Sequence, residues 1–503
     1  MENMTESRRW LITVAVMLVT VLEVLDLTIV NVALPYMKGT LNATTDEISW
    51  VITSYVVSSG IMMPLTGYLI QRFGLKHLLL TNIVGFLLSS MLCGMSSSLE
   101  MMVFCRIAQG VFGASLVPLS QFILRSIFPQ EQLTKAMAIW GMGIMAGPVL
   151  GPTIGGYITD ALNWRWVFFV NIPFCVLAFF MSLRLLDETE TKQIKTDWLG
   201  MFLLATTVGC FQIFLDRGNN VDWFSSQSIR WLCLISLTSF IIFIARGLSI
   251  QNNIINLRLF LDRNFSLGCL MLVLFASSMF SILTLQPLLM ESFMNYDANY
   301  AGLMMAPRGI ASAFAMAFIP LLSKYIDLRK IIAIGLAFCA YGTYLMTKIN
   351  LLISPSIFVD IGIIQGIGMG FFFVPLSTLT LATLPRSDYG EASGLFSFWR
   401  SLGISIGISL MVTLLTNNSQ INWNRLGGHI QPFNPALQLW LAQNHLHLYD
   451  KFTLLQLSQR LSSQAYMISF LNDFFAATFS FSLIIPLAFL LKKPKRSGIH
   501  LGH

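Results

Sequence analysis

From Trp10 almost to the C-terminus the chain returns repeatedly to apolar runs, each close to the roughly 20 residues that a helix needs to cross the hydrocarbon core of a bilayer. In lipid a backbone must satisfy its own polar groups, so runs of this kind lead to spanning helices. Fourteen are expected, near 10–36, 48–70, 77–97, 101–124, 134–158, 165–186, 197–215, 229–247, 265–290, 300–323, 330–349, 355–383, 393–416 and 470–491. Composition agrees: 55% of the 503 residues are hydrophobic and 11% charged, against roughly 25% charged in ordinary soluble proteins. The expected fold class is therefore an all-α integral membrane protein.

Several other classes are excluded. All seven cysteines fall inside apolar runs with no CxxC pair, so neither a disulfide framework nor a metal centre is expected. His445 and His447 lie two apart without a third ligand and read as surface residues. The first apolar run is too long for a signal peptide and should remain as the first span. The net charge of +7 is spread over loops rather than gathered into an aromatic-interleaved patch, which argues against nucleic acid.

Topology accounts for that charge. The N-terminus, the connections after even-numbered spans and the C-terminal tail carry 20 Lys and Arg, and the opposite connections carry 8. Basic residues resist translocation, so both termini are expected in the cytoplasm and the polar segment 417–469 outside. Arg106, Arg308 and Arg400 remain within spans.

The chain also repeats itself. QGVFGASLVPLS (109–120) returns as QGIGMGFFFVPLS (365–377), Leu75-Lys76 as Leu328-Arg329, and Trp140 as Trp399, at offsets between 253 and 259. Near-constant offsets over three span pairs imply two pseudo-symmetric six-helix halves, spans 1–6 and 9–14, with spans 7 and 8 inserted. The expected units are 1–195, 196–250, 251–491 and a cytoplasmic tail 492–503. Two such halves can rock about a midplane site, which is the architecture of a transporter.

Between Trp10 and Lys38 the only charged residues are Glu23 and Asp26, three apart and so on one helix face. A charge at the centre of a span costs roughly 2.5–3.5 kcal/mol on insertion scales, and such residues usually mark an ion pathway. A carboxylate whose hydration changes with conformation can load and release a proton, with Arg106 in span 4 the candidate modulator. The blander reading is that the acids only pair with Arg106 to hold the bundle. Asn31, Gln109, Gln365 and Asp473 are candidates for the substrate cavity; for the glutamines helix-to-helix bonding is the alternative, and for Asp473 solvation near the outer end of its span. Gly143, Gly147, Gly151 and Gly155, with Pro148 and Pro152 between them, form a stripe expected to act as a hinge or seal between the halves. Gly67, Arg72, Gly74 and Lys76 mark a glycine turn with basic residues after span 2.

Together these motifs resemble the major facilitator superfamily, and within it the fourteen-span drug:proton antiporters of the EmrB/QacA type. LDLTIVNVALP (25–35), RIAQGVFGA (106–114), AGPVLGPTIGGY (146–157) and WRWVFFVNIP (164–173) are similar to its first-, fourth-, fifth- and sixth-helix motifs, and LDRG, DWFSSQ and PFNP place the chain on the EmrB-like side. The resemblance implies that Asp26 couples protons, that Arg106 tunes it, that glycines 143–155 form the antiporter seal, and that a proton gradient drives export without a cofactor. It also implies an inner-membrane location, lipophilic substrates of varied chemistry, a periplasmic adaptor of the EmrA type and a TolC-type outer-membrane channel, with 417–469 as a docking element. Two positions depart from the pattern: Gln71 stands where the loop motif usually has an acid, and Glu23 adds a second carboxylate beside Asp26.

Rival expectations are a narrow exporter of a siderophore, fatty acid or other metabolite, and a substrate-gated sensor or scaffold. A membrane enzyme would need catalytic clusters such as HExxH or GxSxG, which the sequence lacks.

Overall fold

A computed structural model describes residues 4–189, 191, 196–250 and 253–492. Lys192, Lys195, Lys493, Lys495 and Arg496, which entered the charge comparison, lie outside that range, as does all of the tail beyond Lys492.

Among the described residues fourteen long helices follow one another: α1 Glu6–Thr40, α2 Asp46–Phe73, α3 Leu75–Met95, α4 Leu99–Ile127, α5 Gln130–Ala161, α6 Trp166–Leu185, α7 Trp198–Val221, α8 Gln227–Ser249, α9 Arg263–Phe293, α10 Tyr300–Tyr325, α11 Leu328–Met346, α12 Pro355–Thr380, α13 Arg386–Gly427 and α14 Lys451–Leu490. Thirteen are long and apolar enough to cross a bilayer as they stand. The fourteenth, α5, bends by 43° between Glu131–Pro148 and Leu150–Ala161, where Pro148 and Pro152 each remove a backbone donor. The expected count therefore holds.

α1 packs chiefly on α5 and α6, and α2 on α4; in the later group α10 and α11 pack on α12, and α9 on α13. The inserted pair lies to one side. α8 leaves Trp231, Leu237, Ile241 and other apolar side chains exposed, as a lipid-facing helix does. α7 bridges the two groups. Asp216 accepts a hydrogen bond from Thr53 of α2, Gln212 Nε2 donates to Ser405 Oγ of α13 at 2.6 Å, and Ser409 Oγ donates to the Leu215 carbonyl at 2.7 Å.

Segment 417–469 is not a loop. α13 continues to Gly427, a short helix spans Pro435–Gln443, and α14 begins at Lys451. Forty helical residues measure about 60 Å, roughly twice the hydrocarbon thickness. Hydropathy detects only the part within the bilayer, so it places the ends of span 13 and the start of span 14 too early and too late. LQLSQRLSSQ (455–464), with its helical apolar spacing, is the beginning of α14.

At the end of the bundle where α1 begins, the two groups of helices close on each other. Arg125 at the end of α4 donates from Nη1 to the Ser377 carbonyl (3.3 Å) and from Nη2 to the Thr378 carbonyl (3.1 Å), with Tyr389 stacked at 5.1 Å. These are the last carbonyls of α12, which a helix leaves without partners. Trp140 of α5 stacks on Phe373 of α12 at 5.6 Å.

Candidate functional site

After its polar first turn, α1 is apolar but for threonines from Trp10 to Leu22, and the two acids follow where lipid offers no solvation. Both are buried, at 1% exposure each. Asp26 meets Arg106 of α4: Nη1 donates to Asp26 Oδ2 at 2.6 Å, and both side chains are completely enclosed. The same Nη1 donates to Gln109 Oε1 at 2.7 Å, and Nε donates to the Val51 carbonyl at 3.0 Å. Gln109 Nε2 (3.0 Å) and Asn171 Nδ2 of α6 (3.3 Å) donate to Asp26 Oδ1. Asn171 is steadied by Ser90 Oγ of α3 at 3.0 Å, and the ring of Tyr55 lies 4.3 Å beneath the guanidinium.

Chemically this is a carboxylate with a charge-assisted bond and two amide donors, closed to water. Taking a proton onto Asp26 would remove the charge that holds Arg106 and convert an acceptor-only group into a donor. The whole network would then have to rearrange.

Glu23 is differently placed although it shares the helix face. Its Oε1 accepts from Tyr55 Oη at 3.3 Å, and its Oε2 has no hydrogen bond. The cation within its electrostatic reach is Arg400 of α13, in the other group of helices, rather than Arg106.

The remaining candidates divide. Gln109 belongs to the Asp26 network, whereas its repeat counterpart Gln365 is fully buried and donates to Thr343 Oγ1 at 3.1 Å. Both bond helices within their own group instead of lining open space here. Asn31 is exposed towards the far end of α1. Asp473 is not solvated: it is 2% exposed, with neither oxygen hydrogen-bonded. α14 extends some twenty residues further out than hydropathy suggests, so Asp473 sits within the packed bundle instead of near its rim.

The glycine stripe needs a larger correction. A Cβ at Gly147 would come within 2.5 Å of Val24 Cγ1 and 2.9 Å of the Val24 backbone; Gly143 faces Met17, Gly151 faces Thr28 and Gly155 faces Ile29. All are residues of α1, and Thr28 Oγ1 donates to the Gly147 carbonyl at 3.0 Å. The stripe Gly143, Gly147, Gly151 and Gly155 thus packs α5 onto the helix that bears Asp26, inside one group of helices rather than between the halves, while Pro148 and Pro152 lie at and just beyond the bend of α5, Pro152 with its side chain exposed. The face of α5 that meets the other group carries Trp140 and Gly141, against Phe373, Val374 and Met316.

In the loop motif Gly74 makes the turn, with φ of +79°. Gly67 lies inside α2, pressed against the Glu391 backbone of α13. Arg72 stacks on Phe73 and bonds Thr196, while Lys76 is half-buried. Tyr55, Asn171 and Arg125 were not foreseen. Asn171 lies inside the WRWVFFVNIP motif, and its signal was the one that exposed Asp26, a polar residue in an apolar run.

Two groups of membrane-spanning helices, the first enclosing a buried ionic couple, make the architecture of a membrane transporter of the major facilitator kind. The Major Facilitator Superfamily profile matches residues 16–408, and the chain belongs to that family. Among curated relatives it is 35% identical over 494 residues to "Multidrug export protein EmrB" of Escherichia coli K12, covering 97% of this chain and 96% of the relative. It is 34% identical to "Probable multidrug resistance protein EmrY" of the same organism (98% and 97% covered) and 33% identical to "Fatty acid resistance protein FarB" of Neisseria gonorrhoeae (97% of each). Among solved structures, the human organic anion transporter MFSD10 aligns over 95% of this chain and 100% of its own at a TM-score of 0.61 and 14% identity. That likeness speaks for the fold alone.

Proposed function

We propose that the chain is an EmrB-like multidrug efflux transporter of the inner membrane, driven by protons exchanged at Asp26. The observation that carries this reading is the buried Asp26–Arg106–Gln109–Asn171 network, which ties α1, α4 and α6 together through a titratable group within the membrane-spanning bundle. In this reading both termini are cytoplasmic. The Arg125 contacts then close the cytoplasmic side, and protonation of Asp26 from outside favours the opposite packing of the halves. Asp26→Asn should abolish drug-dependent proton release in proteoliposomes; intact coupling in that variant overturns the assignment.

The helical extensions around residues 417–469 would project outside, which supports their role in docking an adaptor of the EmrA type that leads to a TolC-type channel. Co-purification of an adaptor with one N-terminal span tests this. A narrower exporter is the second reading, favoured by the similarity to the relative named for fatty acid resistance. Resistance profiling against unrelated compounds separates the two, because a dedicated exporter protects against few.

A further inference from the structure

Arg308 of α10 is 2% exposed inside the membrane-spanning bundle. Its Nη2 donates to Gln286 Oε1 of α9, while its Nε and Nη1 have no hydrogen-bond partner. Next to it, Gln286 Nε2 is also unpartnered, and so is Ser312 Oγ, one turn further along the same face of α10. Gln286 and Ser312 are 0% and 1% exposed. The amide orientation is fixed by chemistry, since only its oxygen can accept from a guanidinium.

The cluster is therefore rich in donors and carries a charge that it cannot shed, because arginine stays protonated in proteins. Among the described residues no carboxylate forms an ion pair with it; its hydrogen bonding is confined to the one bond from Nη2 to Gln286. A buried cation left in this condition is costly, and four free donor atoms around it call for an acceptor with negative charge. Pro307 immediately precedes Arg308 and removes one backbone donor from the turn of α10 that leads into the cluster.

We propose that Arg308, Gln286 and Ser312 form an anion-accepting subsite that takes the carboxylate of a lipophilic organic acid. The proposal rests on the export reading and names one substrate class for it. A single arginine balances a single negative charge, which suits a monocarboxylate. A hydrated inorganic anion would have to lose its water to enter this depth of the bundle, whereas a lipophilic acid brings an apolar body whose transfer from water is favourable.

The test is equilibrium binding to the purified full-length protein in nanodiscs, with labelled decanoate, tetraphenylphosphonium and chloride as probes. Arg308→Gln should weaken decanoate binding roughly ten- to a hundredfold, the range for one charge-assisted bond, and leave tetraphenylphosphonium binding unchanged. Arg308→Lys should retain part of it, and Ser312→Ala should weaken decanoate alone by a smaller factor. Unchanged decanoate binding in Arg308→Gln overturns the proposal. So does equal loss of both organic probes, which marks a structural arginine, and so does Arg308-dependent binding of chloride without decanoate. Binding is read rather than flux, so failure of the export reading would show separately, as absent tetraphenylphosphonium transport by wild-type proteoliposomes.

Discussion

Arg106 and Arg308 are the same side chain, buried to the same degree in the two groups of helices, and they are held in opposite ways. Arg106 has an acid at 2.6 Å, a glutamine and a backbone carbonyl, with Nη2 alone idle; Arg308 has one glutamine oxygen and two idle nitrogens. A completed ionic couple in a dry interior roughly breaks even against apolar packing, yet becomes expensive when one member is removed. An uncompleted cation is already paying that cost, so its retention points to a ligand more than to stability.

The largest expected effect follows directly. Arg106→Leu strands Asp26 and should destabilise the protein by about 3–5 kcal/mol in detergent unfolding, while adding Asp26→Leu should recover most of the loss. Unchanged stability in the single variant would erase the distinction. Arg308→Leu should have the opposite sign, from neutral to a gain of about 1–4 kcal/mol; a loss as large as that of Arg106→Leu would place the two arginines in one class.

The Asp26 network also depends on how closely α1 is held. Gly147→Ala should cost about 1–3 kcal/mol through overpacking against Val24 and should impair proton coupling even though the glycine touches no charged group. At the closed end, Arg125→Leu removes two bonds between the groups, worth on the order of 1–2 kcal/mol. It should lengthen the spin-label distance between positions Lys76 and Ser387; an unchanged distribution would show that Arg125 does not hold the halves.

The smallest effect lies outside the bilayer. Asp197, before α7, accepts from Arg246 at 2.8 Å, and these bonds hold its carboxyl below the usual carboxylate range. A depressed acid contributes stability that is present above its unfolded pKa and fades as pH falls through the folded value. Asp197→Asn should therefore flatten, slightly, the loss of thermal stability on acidification below about pH 4. The effect is small because Arg246 is partly exposed to solvent.

Much of this was legible in the sequence, and the failures share a cause. The spans could be counted because apolar length is a local property, and the Asp26–Arg106 pair could be anticipated because lipid offers a buried acid few partners. Spacing placed Glu23 and Asp26 on one face yet could not reveal that three residues separate a partner in α4 from one in α2. A glycine stripe announces a close neighbour without naming it; here the neighbour is α1 rather than the other half. The outer helices were hidden because hydropathy does not register a helix once it leaves the bilayer.

What the sequence determined by itself is the membrane fold: the free energy of placing each residue in lipid or water depends on composition along the chain, and it is large enough to fix every crossing. Only the tertiary structure decided the pairing. Asp26 and Arg106 are 80 residues apart, and Asp26 and Asn171 are 145 apart, so their meeting depends on which helix faces turn toward one another. That same packing left Arg308 without an acid, because its charge is satisfied or stranded by what the neighbouring helices happen to present.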